Sequence, residues 1–200
     1  MKVKIMELSV FSALIISVII GICTFESGCE QVRESVLRLH VIANSDSEDD
    51  QALKLKVRDA VLEAGKDVFG SGKTSAEAAE LIDENKDYLQ FVAKREIMEN
   101  GYDYDVDICI CEDEFPTKTY GRYTLPAGRY TAVKVIIGEG SGHNWWCVMF
   151  PPLCLPAAQN DVRLDDVMNE SCVDIVSSQT RYEVRFKIVE CIENIRARHQ

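Results

Sequence analysis

The hydrophobic period changes within one short stretch, Leu37 to Val61 (LRLHVIANSDSEDDQALKLKVRDAV), and that change limits what this chain can fold into. Leu37, Leu39 and Val41 alternate with Arg38 and His40, the repeat of a half-buried strand. Beyond Asn44-Ser45-Asp46-Ser47 the repeat lengthens. Leu53, Val57, Ala60, Val61, Ala64 and Val68 recur at helical steps, the apolar stripe of an amphipathic helix. The break between them has the chemistry of a helix start: Ser47 and Asp50 can cap the first free amide groups, and Glu48 and Asp49 sit at the positive end of the helix dipole. Strand, capped turn and helix are expected in that order.

The remaining segments extend this pattern. Phe69 to Ser75 (FGSGKTS) superficially matches a phosphate-binding loop, but Asp67 stands where its first glycine belongs and a helix, not a strand, precedes it. Thr74 and Glu77 instead form a capping box for a second helix running to about Asn100. From Tyr102 the period drops to two. Val106, Ile108 and Ile110 alternate with Asp107, Cys109 and Cys111, and strand-forming runs follow at Lys118 to Leu125, Arg129 to Ile137 and His143 to Phe150, separated by turn residues. Residues 156–179 are acidic and without clean periodicity, so an irregular loop with at most one short helical turn is expected there. Thr180 to Ala197 reads as a closing amphipathic helix with Cys191 near its buried edge. The fold class is α+β: a mostly antiparallel sheet packed on one side by two to three helices.

Ahead of this domain, Lys2 and Lys4 precede LSVFSALIISVIIGICTF, a run of uncharged residues long enough to enter a bilayer as a helix. Lysines before the run place the amino terminus on the cytoplasmic side and the rest across the membrane. Two parts follow: residues 1–29 as signal peptide or signal anchor, with Ser27-Gly28-Cys29 offering small residues for a peptidase, and residues 30–200 as a single exported domain. The net charge of -11 lies in that domain and argues against nucleic acid or a polybasic membrane contact.

The densest group of unusual residues is Gly142 to Cys154, GHNWWCVMFPPLC. Trp145 and Trp146 are adjacent in a strand and must point to opposite faces, so one of them is expected at the surface, where a large aromatic is a natural partner anchor. His143 is a further partner-binding candidate. It is not a base for Cys147: four strand positions separate the two by roughly 13 Å. Cys147 and Cys154 flank Pro151-Pro152 and form the candidate disulfide of an exported domain, with free buried thiols as the other reading. His40, Asn44 and Asp46 are weaker partner candidates, since a capping loop beside a surface histidine accounts for them. The chain has no paired-carboxylate motif, nucleophile elbow or nucleotide fingerprint. It therefore reads as a non-enzymatic binding or signalling domain without cofactor or metal, against the alternative of an exported thiol- or metal-dependent hydrolase.

Arg38 to Val61, Tyr123 to Gly140 (YTLPAGRYTAVKVIIGEG), Gly142 to Cys154 and Val184 to Glu190 (VRFKIVE) together resemble the stage II sporulation protein R family of endospore-forming Firmicutes. The resemblance implies a protein made in the forespore and exported into the space between the two membranes. There it would trigger a membrane-embedded aspartic protease, its partner, which removes the pro-sequence of the mother-cell sigma-E precursor.

Overall fold

The computed structural model describes residues 2–69, 74–151, 168–177, 186–191, 193 and 195 of the chain. In chain order its elements are α1 (Lys2–Ser35), β1 (Leu37–Ile42), α2 (Glu48–Phe69), α3 (Ser75–Glu84), α4 (Lys86–Glu99), β2 (Val106–Phe115), β3 (Lys118–Tyr120), β4 (Tyr123–Leu125), β5 (Gly128–Ile137), β6 (Asn144–Phe150) and α5 (Glu170–Ser177).

The expected helix starts form. Ser47 Oγ accepts from the Asp50 amide at 3.1 Å, and Thr74 Oγ1 accepts from the Glu77 amide at 3.1 Å. The single helix expected from Thr74 to Asn100 is broken at Asn85, which ends α3 and begins α4. The Asn85 side chain donates back to Leu81 O at 2.8 Å, and such local bonding by asparagine competes with helical continuation.

The main sheet has the order β2-β5-β1-β6. β2 with β5 and β1 with β6 are antiparallel, whereas the two central strands, β1 and β5, run parallel. The long connection through α2, α3 and α4 is what allows a parallel pair inside an otherwise antiparallel sheet. Those helices cover one face, burying Leu39, Val41, Ile108, Val133 and Val135 against Val57, Ile82 and Leu89.

Packing is not confined to that face. Val32 of α1 and Val36 just after it, Cys172 and Val176 of α5, and Tyr123 and Leu125 of the β3–β4 hairpin bury Phe115, Tyr130, Ala132 and Val148 on the other. Two expectations change as a result. The short helical turn allowed for in 156–179 is an eight-residue helix, Glu170–Ser177, started by Asn169 Oδ1 accepting from the Cys172 amide at 2.8 Å; residues 156–167, 178 and 179 lie outside the described residues. In the last helix Phe186 and Val189 form the buried side, so Cys191 faces solvent rather than the core edge; most of the remainder of Thr180 to Ala197 lies outside the described residues.

α1 is the longest element. Its first half is apolar and outside the packed body, with a window of mean hydropathy 2.5 that is 6 % buried, which meets the length and composition needed to cross a membrane. Its second half belongs to the domain: Phe25, Cys29 and Val32 recur at helical spacing and are buried. The boundary expected after Cys29 falls inside this helix.

Candidate functional site

The paired tryptophans of β6 take opposite faces because side chains alternate along a strand: Trp145 lies opposite Val41 and Trp146 opposite His40. Trp145 is on the helix-covered face at its rim, 37 % exposed, with the Arg58 guanidinium of α2 placed 4.5 Å from its ring centroid. A cation over the indole braces the ring in one orientation and leaves its other surface available. Cys147, next along, is fully buried and disulfide-bonded, so it has no free thiol. Cys154, expected as its partner, lies outside the described residues.

Trp146 enters the second face and stacks on the His40 imidazole, with ring centroids 6.0 Å apart and planes at 24°. His40 is 6 % exposed, not a surface residue. The cause is topological: β1 is a central strand with both faces covered, so its polar side does not reach water. His40 Nδ1 bonds Asp113 Oδ2 of β2 at 2.6 Å, and Lys134 Nζ of β5 pairs with the same oxygen at 3.1 Å. Burial pushes the Asp113 carboxyl upward, but the bonds and charges of His40 and Lys134 outweigh it and hold the group below the usual carboxylate range. Lys118 Nζ lies 5.8 Å from the Trp146 ring centroid, and Phe115 meets His40 edge-on at 6.0 Å.

Below His40 on the same face, Arg38 is fully buried. Its Nε donates to Cys147 O at 2.9 Å and Nη2 to Tyr120 Oη at 2.9 Å, while Tyr120 Oη donates to Trp146 O at 3.1 Å. Phe115, Tyr130 and Tyr120 enclose the guanidinium at 4.2, 4.8 and 5.6 Å. The ring faces supply part of the negative potential that a carboxylate would otherwise provide. This chain of bonds fastens the β3–β4 hairpin to β6, so the backbone carrying both tryptophans is held from behind.

The loop candidates form a separate group. Asn44 Oδ1 accepts from the Glu139 amide at 3.0 Å and Asn44 Nδ2 donates to Asp50 Oδ2 at 2.9 Å, so Asn44 ties the loop after β1 to the turn after β5. Asp46 accepts from the His143 amide at 2.6 Å and is bonded by the His143 ring through Nδ1. Asp46 and His143 are both largely exposed. The structure therefore brings Trp146 to His40 and His143 to Asp46. It leaves Trp145 apart from both groups, with His40 paired to Asp113 and not to Asp46.

Asp113, Lys134, Arg58, Arg38 and Tyr120 were not legible as partners of these residues. The available signal was Arg38 itself, a charge between apolar residues in a strand that turns out to be central. On the second face, the Cys111 thiol is pushed up by its burial and then by Cys109 and Asp113, which favours its protonated form. Among the described residues no group of three or more His, Cys, Asp or Glu is placed to hold a metal ion. The arrangement is one partly exposed aromatic braced by a cation, with a buried polar-aromatic layer on the opposite face of the sheet.

Residues 33–160, well over half of the chain, match the family model of stage II sporulation protein R. The chain is also similar to the stage II sporulation protein R of Bacillus subtilis (strain 168), at 39 % identity over 126 residues, which is 62 % of this chain and 55 % of that relative. The match thus spans about half the length of the relative. No solved structure matches the chain significantly. On the family match, which takes in every strand of both sheets and all the candidate residues, the chain belongs to the stage II sporulation protein R family.

Proposed function

We propose that this chain is an exported sporulation signal, sent from the forespore, that binds and activates the membrane-embedded aspartic protease processing the sigma-E precursor in the mother cell. The family match over residues 33–160 is the observation that carries the reading. A helix of membrane-crossing length ahead of an acidic domain supports export. An activator of this kind needs a contact surface with higher affinity for the protease's active arrangement than for its inactive one, because equal affinity for both would shift nothing. Trp145 on its Arg58 brace is the best candidate anchor, since a rigid aromatic loses little conformational freedom on binding.

Co-expression of the chain with the protease and the sigma-E precursor in a host that does not sporulate tests the reading. Precursor cleavage is expected only when all three are present, and Trp145→Ala is expected to reduce it at unchanged protein level. No cleavage with the unaltered chain would sink the activator role; cleavage indifferent to Trp145→Ala would remove Trp145 from the contact.

A further inference from the structure

We infer that α1 is retained whole in the mature protein and seats the domain directly against the bilayer that it crosses, so that the signal acts at contact range instead of by diffusion. The inference rests on the export reading above and adds how the exported domain is held.

The apolar run from Leu8 to Phe25 spans ~27 Å as a helix at the standard rise per residue, close to the hydrocarbon thickness of a bilayer. Ile5 to Ile20 are exposed, as lipid-facing residues of a lone span must be. Phe25 ends that run and is also the first residue buried in the domain, with its ring edge-on to Phe186 at 5.5 Å. No linker separates the two environments. A removable leader would be joined to its cargo by backbone that the folded domain does not use.

The opposite holds here. The small residues suited to a peptidase, Ser27-Gly28-Cys29, lie within the helix where it packs tightly on α5: a Cβ on Gly28 would stand 2.3 Å from Ile175 Cδ1. Cys29 is fully buried in a cluster with Phe25, Ile175, Phe186 and Val189. One turn on, the buried Arg33 bonds Glu26 at 3.0 Å, Glu30 at 2.6 Å and Ala127 O at 3.1 Å. Cleavage on either side of Gly28 would remove Phe25 from the apolar cluster and Glu26 from the arginine. The same helix that crosses the membrane is therefore part of the domain's own core, and the domain has little freedom to move away from the surface. Its partner must then present a site within about one domain diameter of that surface.

The test uses the full chain with a C-terminal tag, expressed in a bacterial host. Three readouts are taken: protease access to the tag in spheroplasts, retention in membranes washed with alkaline carbonate, and intact mass of the extracted protein. An accessible tag, full retention and a mass short of the whole chain by no more than the initiator methionine are expected. An accessible tag on a protein that has lost its first ~25–29 residues overturns the retained anchor and leaves export standing. An inaccessible tag overturns both. In a Cys23→Ser background, Cys29, followed in its own peptide by mass spectrometry, should resist an impermeant maleimide until denaturant is added while the exposed Cys191 labels at once; rapid labelling at Cys29 in the native protein would overturn the packing of α1 into the domain.

Discussion

Asp113→Asn is the substitution whose effect the structure fixes best. Asp113 Oδ2 serves His40 Nδ1 at 2.6 Å and Lys134 Nζ at 3.1 Å, joining β2, β5 and β1 across the second face. The asparagine is nearly the same size, so packing is preserved and only the charge is lost. A bond to a charged acceptor at a mostly buried site contributes about 1.5–2 kcal/mol, and the part-exposed lysine pair about 0.5–1 kcal/mol after solvent screening. The expected loss is about 2–3 kcal/mol at pH 7, or roughly 5–10 °C in Tm for a chain of this size. The pH dependence has a definite sign. The folded carboxyl titrates below its ordinary value, so its contribution is fully present above about pH 4 and disappears as pH falls through the lowered folded value. Urea unfolding of the detergent-solubilised chain at pH 7 and near pH 2.5 would measure both. The difference between the two proteins should narrow sharply at the acid end. A loss below about 0.5 kcal/mol at pH 7, or one unchanged at pH 2.5, would refute the assignment of Asp113 as the charged link of the layer.

Two further outcomes are expected. Gly142→Ala should be strongly destabilising, because a Cβ there would stand 2.2 Å from the backbone oxygen of Ser45 and neither loop can yield without losing the Gly142 amide bond to Ala43 O; a Tm drop of several degrees in thermal melts checks it, and an unchanged melt would contradict the loop geometry. Reductant should lower the unfolding free energy by about 2–4 kcal/mol through the Cys147 disulfide, and peptide mapping of the unreduced protein should find Cys147 joined to Cys154; another partner would refute that pairing.

The fold was legible wherever it depended on neighbours in sequence. Both serine and threonine caps act as their spacing required, and alternation placed Trp145 and Trp146 on opposite faces of β6. The period method fails where one segment serves two environments. Leu8 to Phe25 satisfies a membrane-crossing pattern so fully that residues 1–29 read as one targeting segment, although Phe25 and Cys29 within it are buried together with residues of the domain. Asn85 illustrates a smaller failure, since an imperfect apolar stripe does not reveal that one side chain will bond its own preceding turn and divide the helix.

The second-face layer was hidden for a different reason. His40 and Asp113 are 73 positions apart, and what joins them is strand order, with β5 inserted between β2 and β1 and running parallel to β1. Alternation says which side of a strand a residue takes; it does not say what covers that side. A strand read as half-buried assigns Arg38 and His40 to water, whereas a central strand covered on both faces must satisfy them from other strands. Once buried, each group requires a partner or loses hydration without compensation. Asp113 fills that requirement at Nδ1 of His40, and the aromatic enclosure reduces it for Arg38. A charged residue between apolar neighbours in such a strand is therefore more than the wet side of an amphipathic pattern. In this chain Arg38 and His40 mark where β2, β5, β6 and the hairpin converge, and the strand that carries the candidate recognition residue is braced by that convergence.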